Sequence, residues 1–126
     1  MARRRMFSVD VITTDRFLNM SMAAQLLYFH LGLQADDDGF ISAPRMVIRM
    51  TGCTDDNMRE LIRNGYVYQF HSGVVCIADW KISNTIQADR YHETIYTQEK
   101  ALLVVQDNKR YEPTEDYYSH VLNLDT

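Results

Sequence analysis

Between residues 21 and 33, Met22, Ala23, Leu26, Leu27, Phe29, Leu31 and Leu33 cover most of the circumference of a helical projection. That breadth predicts a buried central helix, with Ser21 as its N-cap. Ahead of it, Thr14 is placed to cap a short turn over 14–20, and Asp15 complements the helix dipole in the first turn. Residues 1–13 read as a basic N-terminal arm: three consecutive arginines, then Phe7, Val9, Val11 and Ile12 in rough alternation.

After the central helix, Ala35-Asp36-Asp37-Asp38-Gly39 breaks the pattern, and Phe40-Ile41 is long enough only for a stub of strand. Ser42 is expected to cap a helix with Pro44 in its first turn and Gly52 as its stop. Thr54 is expected to cap a third helix, residues 55–64, striped by Met58, Leu61 and Ile62 and ended by Gly65. The stretch GYVYQFHSGVVCIADWKI then supplies two runs of β-formers hinged at His71-Ser72-Gly73. A lone hairpin is marginally stable in water. The stub at 40–41 is therefore expected to act as its third strand, and a helical core to carry it.

Helix, stub, helix, tight turn, helix, hairpin is the order of a helix-turn-helix with a wing. The expected fold is α+β and mainly helical: a winged helix-turn-helix with a three-helix core and a β-hairpin wing. Residues 14–105 would form that domain with a C-terminal extension, in which 89–103 reads as partly helical. A small hairpin is expected about Asp107-Asn108, and residues 106–126 read as this short hairpin and an acidic flexible tail.

Composition narrows the function classes. The 126 residues are 46% hydrophobic and 24% charged, ordinary for one globular domain. No apolar run approaches the roughly 18–20 residues of a membrane span, and the basic start lacks the apolar segment of a signal peptide. A cytoplasmic protein without membrane partners is expected. Cys53 and Cys76 lack the close spacing of a metal knuckle or a disulfide framework, and reduced thiols are expected. The formal net charge of −4 opposes strong nucleic-acid binding. Five acids and two bases lie from Gln106 onward, however, leaving 11 of the 13 bases against 12 of the 17 acids in the rest. A locally basic face is therefore open to that part.

Several stretches together resemble the N-terminal domain of replisome organizer (replication initiation) proteins of phages and prophages of Gram-positive bacteria. They are MARRRMFSVD, AAQLLYFHLGLQADDDGF, SAPRMVIRMTG, NGYVYQF with SGVVCIADWKISN, and ADRYHETIY, spanning about residues 1–100. The resemblance implies a DnaD-like winged-helix domain that binds duplex DNA at a replication origin and helps load host replication proteins. Larger relatives carry a further C-terminal domain for partner contacts, whereas a short acidic tail stands here, in keeping with a short form or a separated piece.

Candidate DNA-contacting residues follow from arginine chemistry, whose fork binds phosphate or the O6 and N7 atoms of guanine bidentately. Arg45 and Arg49 share one face of the second helix, and Arg59 and Arg63 one face of the third. Arg59 is equally placed for a helix salt bridge to Asp55. Asp55 and Asp56 cap their helix but put negative charge at the end usually aimed at base edges. Asn57 could read adenine or do nothing as an exposed helix residue. Arg3, Arg4 and Arg5 could follow phosphates or enter a minor groove, or serve only solubility. His71 at the wing tip, Lys81 and Arg90 would add phosphate affinity.

Other chemistry finds little in the sequence. Asp36-Asp37-Asp38-Gly39 lacks the closing glutamate of an EF-hand and is expected to end the long helix as a solvated acid run. His30, His71, His92 and His120 are scattered, no Gly-rich phosphate loop is present, and neither a cofactor nor an enzyme activity is expected. His30 is expected to be a hydrogen-bonded core residue. The competing function is a protein-interaction winged helix that self-associates into a homo-oligomer, or holds a replisome partner, through its hairpin edge or its arm. A phage transcriptional regulator is a further alternative.

Overall fold

The structure, a computed structural model, describes residues 4–122, which form an α+β domain with eight helices and small antiparallel sheets. Two short N-terminal helices, α1 (Val9–Ile12) and α2 (Asp15–Leu18), lead into the long α3 (Met22–Gln34). Then come β1 (Phe40–Ile41), α4 (Pro44–Thr51), α5 (Asp55–Arg63), β2 (Val67–Gln69) and β3 (Val75–Ile77). The chain continues with α6 (Trp80–Ser83), α7 (Thr97–Lys100), β4 (Leu103–Val105), β5 (Tyr111–Pro113) and α8 (Glu115–Leu122).

Local chemistry sets most of these bounds. Side chains of Thr14, Ser21 and Thr54 accept hydrogen bonds from Phe17, Ala24 and Asn57 backbone N–H groups, capping α2, α3 and α5. At α5 the cap is reciprocal, because Asn57 Oδ1 accepts from the Thr54 N–H at 2.8 Å. Ser42 does not cap α4. The N-cap is Ala43, which makes no side-chain cap bond, and Pro44 starts the helix because its missing N–H needs no partner there.

The stub and hairpin join as the sequence requires, in the order β1-β3-β2, with Phe40 opposite Cys76 and Tyr68 opposite Cys76 on the other side. α4 and α5 each pack on α3. Where these elements meet, Phe17, Tyr28 and Tyr66 stack edge to face, with centroids 5.3 to 5.9 Å apart. Cys76 is fully buried, Cys53 half-buried, and both are free. No helix of the described residues is long and apolar enough to cross a membrane.

Further expectations are corrected. Described residues 4–13 are not a free arm: Asn84 bonds both the N–H and the C=O of Met6, and the Phe7 ring sits 5.0 Å from that of Phe29. Residues 9–12 are helical, capped by Ser8, because an apolar turn here buries Val11 whereas an extended arm would expose it. α3 buries only one side, with Ala24, Leu27, Tyr28, Leu31 and Gly32 inside and Met22 86% exposed outside. Residues 89–103 are partly helical as expected, holding the single turn of α7 before β4 begins at Leu103.

The C-terminal segment differs most. The expected hairpin forms as β4–β5, but the acidic tail becomes α8, with Glu115 and Asp116 in its first turn where carboxylates favour a helix. Tyr117 is buried against Phe70, and its hydroxyl donates to the Gln69 carbonyl at 3.0 Å. Burial pushes that hydroxyl's pKa up to about 12.

Candidate nucleic-acid interface

The eleven residues expected to contact DNA separate into those the fold consumes and those it leaves in solvent. Arg3 lies outside the described residues. Arg5 is consumed: its side chain is 2% exposed, pairs with Asp37 at 3.2 Å, donates to the Ala35 carbonyl at 2.8 Å and lies over the Trp80 ring. An arginine so enclosed cannot lie along a duplex as a free arm would. Lys81 is also committed, at 3.1 Å from Asp38. Asn57 spends its side-chain oxygen on the α5 cap. His71 donates its backbone N–H to His120 Nε2, and Ser72 bonds Glu99 at 2.7 Å, so the hairpin tip is tied to α7 and α8.

Arg59 pairs with Asp56, one turn back, in place of the expected Asp55, because Asp56, Arg59 and Arg63 form one solvent stripe opposite buried Met58 and Leu61. The pair is exposed, so it holds Arg59 weakly. Arg45, Arg49 and Arg63 are exposed and make no ion pair among the described residues. Arg45 and Arg49 stand on the side of α4 opposite buried Val47. Glu60, on the same side of α5, accepts from the Ser21 N–H and hydroxyl, each at 2.8 Å. Those bonds hold its carboxyl below the usual range.

Arg4 and Arg90, far apart in sequence, line one cleft of about 530 Å³. Sequence reasoning missed its other walls, Thr85, Gln87 and His92, because they belong to an irregular segment with no periodic signal. It also missed Arg110, which binds Asp79 at 2.7 Å and the Gly65 carbonyl at 2.6 Å, fastening the β4–β5 hairpin under α5.

The acid run proves to be a buried hub. Asp38 is fully buried and accepts from the Tyr91 hydroxyl at 2.6 and 2.7 Å, the Thr94 N–H at 2.8 Å, Lys81 at 3.1 Å and Lys100 at 3.4 Å. Asp37 takes the His92 N–H and Arg5, while Asp36 caps Asp38 and Phe40 and accepts from Thr94. The expectation of a solvated run fails because residues 91–94 and the N-terminal segment close over it, supplying donors that replace water. Desolvation raises the Asp38 pKa most, but the bonds from Tyr91, Thr94 and Lys81 together outweigh it and hold the carboxyl below its ordinary value. Among the described residues no group of three or more His, Cys, Asp or Glu is placed to hold a metal ion. His30 is half-buried, and its ring makes no hydrogen bond among the described residues.

Comparison of the chain with protein-family models, with curated proteins and with solved structures finds no match.

Proposed function

We propose that this chain is a DNA-binding module in which α3, α4, α5 and the β2–β3 hairpin act as a winged helix, serving replication initiation as the replisome-organizer resemblance implies. One observation carries the reading: Arg45, Arg49, Arg59 and Arg63 all project into solvent from the two helices packed on α3, whereas Arg5, Lys81 and Arg110 are drawn into the fold. Arginines kept out of internal pairs remain available to phosphate and base edges. Contacts would concentrate on the C-terminal half of α5 and on α4, since Asp55 and Asp56 repel phosphate at the α5 N-terminus.

The test is a fluorescence-anisotropy titration of origin-type and scrambled duplexes at two salt concentrations. Affinity should fall steeply with salt as counterions are released. Arg63→Ala should weaken binding about tenfold and lower the salt slope by about one, as expected for one lost phosphate contact. Arg16→Ala should leave binding unchanged, since Arg16 stacks on Tyr66 at 4.6 Å. Salt-independent binding, or equal losses in both variants, would overturn the assignment.

A second reading, self-association, is favoured by a different face. Met22, Leu26 and Leu33 are exposed at positions that align with half-buried Phe29 as one apolar stripe along α3. The hairpin edge expected for this role is less suitable, because Tyr117 covers Gln69 on β2. If α3 mediates association, Leu26→Asp should shift sedimentation toward monomer without altering duplex affinity. An unchanged sedimentation profile would remove this reading.

A further inference from the structure

The cleft that joins Arg4 and Arg90 has a construction unlike the rest of the basic surface. Asn84 grips the Met6 backbone through two hydrogen bonds, 2.8 and 3.1 Å, and so sets the N-terminal segment alongside the loop that follows α6. A turn closed by Arg90 N–H to Gln87 C=O at 2.9 Å carries Arg90, which lines the same cleft. The one acid lining the cleft, Asp37, already accepts from Arg5 and from the His92 N–H at 3.0 Å, so its charge is compensated. Arg4 and Arg90 make no ion pair among the described residues. Thr85 and Gln87 add neutral hydrogen-bonding groups.

Arg5 supplies the second, independent sign. It lines the same cleft, its side chain is 98% removed from solvent, and its Nε is buried with no hydrogen-bond partner. Buried donors of a cationic group are normally satisfied, and an orphaned one costs free energy unless a ligand or water takes it. Its Nη1 and Nη2 are spent on Asp37 and Ala35.

We propose that this cleft is a phosphate-binding site, with Arg4 and Arg90 as its cationic walls and Arg5 as its base. Arg4, Arg5 and Arg90 line a space of about 530 Å³, large enough for a pyrophosphate or a short stretch of nucleic-acid backbone. The planar forks of Arg4 and Arg90 suit phosphate oxygens, two per guanidinium, whereas Arg5 has only its Nε–H left to offer. The phosphate comes either from a nucleic-acid strand or from a free small phosphate, and both present the same oxygens. The inference does not rest on the α4–α5 reading, whose residues are absent from this cleft.

The deciding experiment is an NMR titration of the ¹⁵N-labelled full chain, one arm with inorganic pyrophosphate and one with a short single-stranded oligonucleotide. Saturable pyrophosphate shifts should gather at the backbone amides of Thr85–His92 and at the Arg5 Nε–H signal. Arg4→Gln and Arg90→Gln, both at exposed positions, should each weaken pyrophosphate binding about tenfold, as loss of a charge-assisted contact does. Arg63→Gln should leave it unchanged. Shifts of residues 85–92 in both arms assign the phosphate to a nucleic acid; shifts with pyrophosphate alone assign it to a small phosphate, and either supports the site. Absent or non-saturable pyrophosphate shifts, or binding indifferent to Arg4 and Arg90, would overturn it. Oligonucleotide shifts confined to α4 and α5, with no pyrophosphate shifts at 85–92, would sink the cleft while leaving the DNA-binding reading intact. Pyrophosphate binding without any duplex binding would do the reverse.

Discussion

Asp38→Ala should lose about 3 kcal/mol of unfolding free energy, read from urea melts at neutral pH. The carboxylate is fully buried and collects four donor groups, from Tyr91, Thr94, Lys81 and Lys100. Removing one partner from such a cluster typically costs about 3–5 kcal/mol, because the remaining groups keep their desolvation without their acceptor. The lower end applies here, since Lys81 and Lys100 are 29% and 28% exposed and can recover some hydration. The buried Thr94 N–H cannot do so as readily, and it accounts for much of the loss. A change under about 1 kcal/mol would mean that the hub is not formed as described.

The same residue gives a pH dependence with a definite sign. The folded carboxyl has a depressed pKa, so the unfolded chain takes up the proton more readily. Its contribution is therefore fully present above the unfolded value, about 3.9, and is lost as pH falls through the lower folded value. Wild type should lose stability in that window more steeply than Asp38→Asn, which has no proton to take up there. Parallel pH profiles of the two proteins would refute the assignment.

Gly39→Ala should cost about 3 kcal/mol or more, while Gly73→Ala should cost about 1–2 kcal/mol. Both glycines have positive φ, +90° and +91°, where a Cβ is strained. They differ in surroundings. A Cβ on Gly39 would lie 2.5 Å from Trp80 Cγ and 2.6 Å from Trp80 Cβ, whereas one on Gly73 meets nothing within 4 Å. Trp80 cannot easily yield, being 1% exposed and bonded through Nε1 to the Asp37 carbonyl at 3.0 Å. The difference between the two losses therefore isolates the cost of crowding the tryptophan. Equal losses would show that the indole shifts freely and that backbone strain alone matters.

These two residues also show how the acid run misled a reading made from the sequence. Three aspartates before a glycine look like a solvated helix stop, because burial of a carboxylate needs donors and none lies nearby in the chain. The donors are Arg5, Lys81, Tyr91, Thr94 and Lys100, separated from the aspartates they bond by 32 to 62 residues. No periodicity connects them. Removing Arg5 and Lys81 from the candidate DNA face has the same origin: a cation's partner is a tertiary fact, and the partner here is the run taken to be solvated. Arg45, Arg49 and Arg63 kept their expected exposure because their surroundings are set by helix periodicity alone.

What the sequence by itself determined was the local order of the central region. Capping by Thr14, Ser21 and Thr54, the stops at Gly52 and Gly65, and the alternation across 66–77 act within one turn or one hairpin, so residues close together in the chain suffice to specify them. Pairing of the 40–41 stub with β3 was legible for a similar reason, since a hairpin with one face buried needs a neighbour. Only the tertiary structure decided the rest. It folded the N-terminal segment against Asn84, turned the acidic tail into a helix on Phe70, buried the aspartates, and brought Arg4 and Arg90 to one cleft. Each of these depends on contacts between segments tens of residues apart, whose free energies appear only once the core has fixed where the surfaces meet.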